Sequence, residues 1–192
     1  GELRALRARL GWSYWRAGPL EEAPPLLRQA IAEAQACGAH EDERMATHDL
    51  GIALAMLGRV QDGSDLVAES MRLAREAGDR ALLARCYINL PSMWGGNGEP
   101  RAAIEPVAME GLDWARRTMD HGTRSWIAVN LADFQIEWGD LAAARAFADE
   151  GLEAAIAIEY QSQIGSAQWR QAICLLAAGD HDAGLIAAGR AE

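Results

Sequence analysis

Glycine recurs along this 192-residue chain at a nearly fixed spacing: Gly18, Gly58, Gly98, Gly139 and Gly179 follow one another at 40, 40, 41 and 40 residues. Self-similarity at such a period is the mark of a stacked-repeat architecture, and it constrains the fold more than any other feature of the chain. The flanks repeat in register. Leu10-Gly11 precedes Gly18 by the offset at which Leu50-Gly51 precedes Gly58, and Leu90-Pro91, Leu131-Ala132 and Gln171-Ala172 fill the later slots. A small residue, Ala23, Gly63, Ala103, Ala144 or Gly184, stands five positions after each Gly.

Each unit reads as a helix A, a tight turn at the Gly and a helix B. In the second unit Val60, Val67, Met71 and Ala74 recur at helical spacing. The Gly-Asp and Gly-Asn-Gly-Glu turns suit the end of one helix and the start of the next, and the small residue after each Gly lets two helices approach closely. Strand alternation is not found. One helix pair cannot bury its apolar face alone, so successive pairs must stack and share a core. The expectation is an all-α solenoid of antiparallel helix pairs, about ten helices and no sheet. It forms one repeat domain over residues 1–192, with units near 3–42, 43–80, 81–121, 122–162 and 163–192.

Prolines strain the pattern locally. Pro91 sits where helix A of the third unit wants a small residue, and Gly95-Gly96 follow within a turn. An interior proline removes a backbone hydrogen bond at a cost of about 3 kcal/mol, so this helix is expected to kink or end early and act as a hinge. Pro106 strains helix B of that unit in the same way, whereas Pro24-Pro25 falls in or near a first turn, where missing donors matter less. The chain opens on Gly rather than Met, and its fifth unit stops about one helix past Gly179. A piece of a longer protein is the expectation.

Composition excludes several function classes. Half the residues are apolar, which excludes disorder. Eighteen basic residues against twenty-eight acidic ones give a formal charge of −10, which repels a phosphate backbone and excludes direct nucleic-acid binding. Every basic residue is Arg, so a phosphate-loop lysine, a Schiff-base lysine and a Ser-Lys dyad are all ruled out. Cys37, Cys86 and Cys174 are odd in number and far apart, which points to reduced, mostly buried thiols in a cytoplasmic chain rather than a disulfide framework or a zinc site. No charge-free run of about 18 apolar residues suggests a membrane span. His40 and His48 flank Glu41-Asp42-Glu43 at an expected inter-repeat loop, where an acidic helix start accounts for the carboxylates. His121 and His181 fall in similar turns. With no HExxH, CxxC or nucleophile elbow, the expectation is no metal, no cofactor, no catalytic residue and no enzymatic activity.

The first unit resembles the tetratricopeptide repeat, matching its Trp-Leu-Gly-Tyr then Ala-Phe-Ala signature at Leu10, Gly11, Tyr14, Ala23, Leu27 and Ala30. The period exceeds the usual repeat of about 34 residues, which implies longer helices. Long units of this kind are similar to those in the sensor region of large bacterial ATP-binding, LuxR-type transcription regulators, the maltotriose-responsive activators among them. Residues 89–151 carry that likeness.

The resemblance implies a right-handed superhelix whose A helices line a concave groove. The rung nine residues before each Gly reads Arg9, Asp49, Asn89, Asn130 and Arg170. In peptide-binding members an Asn on this rung grips ligand backbone, a role that suits a side chain offering donor and acceptor together. Neighbouring rungs add Trp12, Ile52, Ser92, Asp133 and Ile173; Ala8, His48, Ile88, Val129 and Trp169; then Trp126; and Arg16, Met56 and Glu137. The groove implied is apolar and aromatic with a few polar groups, fit for a peptide, a protein segment or a small effector. It lacks the Lys-rich clamp of chaperone-tail-binding members. The function implied is a non-catalytic interaction or effector-sensing module of a bacterial regulator. The alternative is a structural scaffold that self-associates through exposed helix faces or its unfinished end.

Overall fold

The computed structural model describes residues 20–189. A single 3₁₀ turn (Leu20–Glu22) leads into nine α-helices among the described residues. They are α1 (Ala23–Ala36), α2 (His40–Met56), α3 (Val60–Ala77), α4 (Arg80–Gly96), α5 (Arg101–Thr118), α6 (His121–Glu137), α7 (Leu141–Ala157), α8 (Gln161–Ala177) and α9 (His181–Ala188). No strand occurs among the described residues. The A helices of the repeat are α2, α4, α6 and α8, and the B helices are α1, α3, α5, α7 and α9.

Every helix-to-helix connection among the described residues contains a left-handed residue. Gly58, Gly98, Gly139 and Gly179 hold φ between 76° and 85° at the A-to-B turns. A second ladder serves the B-to-A turns, where Gly38, Gly78, Met119 and Glu159 hold φ between 55° and 68°. At most of these ends the following residue donates its N–H to a carbonyl five positions back, as in Asp79 to Ala74 (2.9 Å), Asp140 to Gln135 (2.8 Å) and Tyr160 to Ala155 (2.9 Å). The same aspartates then open the next helix. Asp79, Asp120, Asp140 and Asp180 accept from the N–H groups of Leu82, Thr123, Ala143 and Ala183. One Gly-Asp or Met-Asp pair thus closes one helix and caps its successor.

Small residues set how closely the paired helices lie. A Cβ on Gly51 would stand 2.7 Å from the Gly63 carbonyl oxygen, and one on Gly63 would run into the Gly51 carbonyl. Ala23 and Ala144 are fully buried at the matching position. In the third unit the rung differs from expectation. Glu99-Pro100 lengthens the turn by one residue, so the buried Ile104, six residues after Gly98, takes the position expected of Ala103, which is only half-buried.

Two further expectations are corrected. Helix α4 does not end early, because it runs α-helical through Pro91 for 17 residues, the length of α2 and α6. Pro91 is itself buried, and that apolar burial offsets the lost backbone hydrogen bond. Pro106 likewise lies inside an unbroken 18-residue α5. Pro24-Pro25 occupies the first turn of α1 as expected.

The chain divides after Gly98 into two compact units. In the first, α1, α2, α3 and α4 pack in sequence, α2 also touches α4, and Ala23, Leu27, Leu50, Ala53 and Leu54 form a core against Ile31 and Leu66. In the second, α5 to α9 pack in sequence and α6 also touches α8. Ile127, Leu131, Ala148 and Ala155 are buried there.

A left-handed conformation costs a residue with a Cβ about 1–2 kcal/mol, part of which the extra unfolded-state freedom of glycine cancels. Glu159→Gly should therefore raise stability by about 1 kcal/mol in urea denaturation. Unchanged or lowered stability would contradict this account of the second ladder.

Candidate binding surface

In the first unit the neighbouring A helices meet through a polar cluster. His48, in the middle of α2, is fully buried. Its Nδ1 lies 3.0 Å from the Asp49 carboxylate and its Nε2 lies 3.2 Å from the Asn89 amide nitrogen on α4. With Asp49 as acceptor the ring proton sits on Nδ1, and Nε2 accepts from Asn89. Asp49, also buried, accepts from Arg85 of α4 at 2.6 Å. Burial pushes the His48 pKa below its ordinary value, and the Asp49 hydrogen bond opposes that shift only in part. The expectation of His48 in an inter-repeat loop is thereby corrected. An imidazole with both nitrogens satisfied by protein groups can sit inside a helix interface.

The rung that was to line a groove is therefore largely engaged. Asn89 ties α4 to α2 through its amide nitrogen, and Asp49 is held by Arg85. Val129, on the rung of His48, is buried against Gly151. In the second unit Arg170 of α8 reaches Asp133 of α6 through two hydrogen bonds of 2.8 and 2.7 Å, and also donates to the Ser166 carbonyl at 3.1 Å. Asn130 is half-buried and Glu137 is exposed at the end of α6. Arg9 and Trp12 lie outside the described residues.

What remains open on the second unit is aromatic. Trp126 of α6 is 38% exposed and meets Tyr160, the residue before α8, edge-on with ring centroids 6.5 Å apart. Met119 and Ile158 are exposed in the two B-to-A turns of this unit and Ile156 in the last turn of α7, and the Ile158 side chain lies near Gly122. Trp169 is 51% exposed on a different part of α8, lining an open cavity of about 830 Å³ with Gln161, Ser162, Gly165 and Leu185. Of the expected groove residues, Trp126 and Trp169 are exposed and Asp133 and Arg170 pair with each other. Sequence reasoning missed Tyr160 and Ile158, which lie between helices, and it missed that His48, Asp49 and Arg85 meet one another, because two of them were read as rung positions.

On the B-helix side Glu150 of α7 joins Arg116 of α5 to Arg124 of α6, at 2.6 and 2.9 Å. Burial raises the Glu150 pKa, but the two guanidiniums outweigh it and hold the carboxyl below its ordinary range. None of the three cysteines forms a disulfide. Cys86 and Cys174 are buried, and desolvation pushes Cys86 up to about 12. Cys37, the residue after α1, is exposed. Among the described residues no three His, Cys, Asp or Glu side chains converge as a metal site, and no helix is long and apolar enough to cross a membrane.

This arrangement of helix pairs recurs in solved structures. BtubC (BKLC) from P. vanneervenii superposes with a TM-score of 0.80 at 16% identity, over 95% of this chain and 75% of that one. A kinesin light chain-like protein of Podosopora anserina, with nearly identical TPR-like repeats, superposes with a TM-score of 0.76 at 17% identity, over 97% of this chain and 92% of that one. The fold is that of the tetratricopeptide-like repeat. No protein-family model and no curated protein matches the sequence. At this identity the likeness fixes the tetratricopeptide-like fold alone, and the function rests on the residues described above.

The His48 cluster sets a pH dependence. The unfolded chain holds this histidine at about pKa 6.5, and the folded chain holds it lower. Between these values the unfolded state binds more protons, so stability falls as pH drops from 7 towards 5. The lowered carboxylates Glu43, Glu105 and Glu150 act only below their ordinary value of 4.5. Urea midpoints should fall over pH 7 to 5 in the native protein and stay flatter in His48→Gln. Equal slopes would contradict a neutral, buried His48.

Proposed function

We propose that the chain is a non-catalytic interaction module that takes up a protein or peptide segment on the A-helix face of its second unit. One observation carries the reading. Among the described residues, exposed large apolar side chains gather on the second unit, with Met56 the counterpart in the first, and Trp126 and Tyr160 form an aromatic pair there. Rings with an apolar body and a polar tip are the usual anchors of protein contacts. The Asp133–Arg170 pair and Glu137 belong to the same two helices and supply the polar groups that fix a ligand's register. A chain of net charge −10 favours approach by a basic segment, so the occupant is a basic peptide segment with an apolar anchor. The non-catalytic character is supported by the state of the reactive groups. The His48–Asp49 pair is sealed between helices, and the Cys86 thiol is held protonated.

The finer reading is the effector-sensing repeat region of a bacterial transcription or signalling regulator acting in the cytoplasm. It rests on the likeness of residues 89–151 to those regulators. An ATP-binding module before this region and a DNA-binding helix pair after it, in the gene that encodes it, would support that reading. A gene with neither would end it.

Binding is tested with a display library of basic peptides, each carrying one Trp, Phe or Leu. Peptides that bind the native chain should lose about 2 kcal/mol or more of affinity against Trp126→Ala/Tyr160→Ala, the range expected of aromatic anchors, while circular dichroism stays unchanged. No binder from the library, or equal affinity in the double variant, would contradict the proposal.

A further inference from the structure

Four residues of α6 form one open stripe along the helix. Trp126, Asn130, Asp133 and Glu137 stand at i, i+4, i+7 and i+11, within about 60° of one another around the axis. Trp126 and Glu137 are exposed, and the two between them are half-buried. The two carboxylates of the stripe differ. Asp133 is held by Arg170 through two hydrogen bonds, so the middle of the stripe carries no net charge. Arg170 is the only charged residue of α8, which leaves that helix no second cation to offer. Glu137 forms no hydrogen bond or ion pair among the described residues. It is also the last residue of α6, at the negative end of the helix dipole, where a carboxylate is disfavoured. The other described A helices end on Met56, Gly96 and Ala177. A carboxylate at the wrong end of a helix, with no contact to compensate it, breaks a local rule of stability, and such departures fall at functional sites.

We infer that Glu137 is a specificity-determining residue that reads a single Lys or Arg about five positions from the apolar anchor of an extended segment. The inference rests on the peptide site proposed above, in which Trp126 and Tyr160 hold the anchor. Glu137 lies about 16 Å from Trp126 along α6, a span that an extended chain covers in about five residues. Asp133 lies about 10 Å from Trp126, but Arg170 already occupies its carboxylate. The segment therefore carries an uncharged residue opposite Asp133 and its cation farther on. A charge in this place fixes the segment's register on the helix, whereas charge spread along it only speeds encounter with an acidic chain.

A display library tests the inference, each peptide bearing one Trp and one Arg in either order, at every separation up to about eight residues, with all other positions uncharged. Binders of the native chain should gather at a separation of about five and not at about three. Against Glu137→Gln these binders should weaken about threefold, the size of an exposed ion pair, while peptides with Trp alone bind as before. Glu137→Arg should reverse the preference and select Glu in place of Arg at the same separation. Neither variant should lose stability in urea, because each removes a carboxylate from the negative helix end, so weaker binding is not a loss of folding. Binding that needs Trp126 and Tyr160 but ignores the separation, or is unchanged in both Glu137 variants, overturns the inference and leaves the peptide site standing. Absence of any binder overturns both.

Discussion

Backbone contact between the two helices of a repeat is the constraint on which the rest depends. At Gly51 and Gly63 the chains of α2 and α3 come so near that neither residue has room for a methyl group. Helices this close share apolar residues along their whole length, which is how an alanine-rich sequence with few large side chains still builds a core. Buried alanines such as Ala23, Ala53, Ala74, Ala144 and Ala155 serve as spacers here, not as filler. The left-handed turn residue and the aspartate after it make the approach possible, because they reverse the chain within a few residues while leaving few helix-end groups unsatisfied.

Close packing also decides what the polar residues can do. Once adjacent A helices touch, side chains on their facing edges must find partners in the neighbour or be desolvated alone, at a cost of about 1–3 kcal/mol each. His48 with Asn89, Asp49 with Arg85, and Asp133 with Arg170 are those solutions. Asp49, Asn89 and Arg170, all on one rung of the A helices, are thus tied between stacked helices, while several large apolar side chains stay exposed. Trp126 and Tyr160, Trp169 and the apolar residues of α9 are such residues, on two faces of one unit.

The A-to-B turns were legible in the sequence because glycine marks all four that are described. The B-to-A turns were not, since Met119 and Glu159 adopt the same backbone without the residue that advertises it. Helix class and period followed from these markers, and so did the capping aspartates. Burial did not. An Asn on the right rung looks the same whether it faces solvent or a histidine 41 positions earlier, and His48 beside an acidic run gave no sign that a later helix covers it. Pro91 misled for a related reason, because a local rule about hydrogen bonding was weighed without the packing that compensates it. The displaced rung at Ile104 was visible only as the single 41-residue interval in the glycine ladder.

The most direct test of the close-approach account compares two Gly→Ala substitutions in helices of the first unit. A Cβ on Gly63 meets the Gly51 carbonyl oxygen and the Ala55 backbone, whereas one on Gly96 meets nothing within 4 Å. Overpacking of this kind costs about 1–3 kcal/mol, and alanine in a helix with free space is neutral or favourable. Urea denaturation should therefore show Gly63→Ala destabilised by that amount and Gly96→Ala as stable as the native protein or more so. Equal stability of the two variants would contradict the claim that backbone contact at the helix crossing sets the fold.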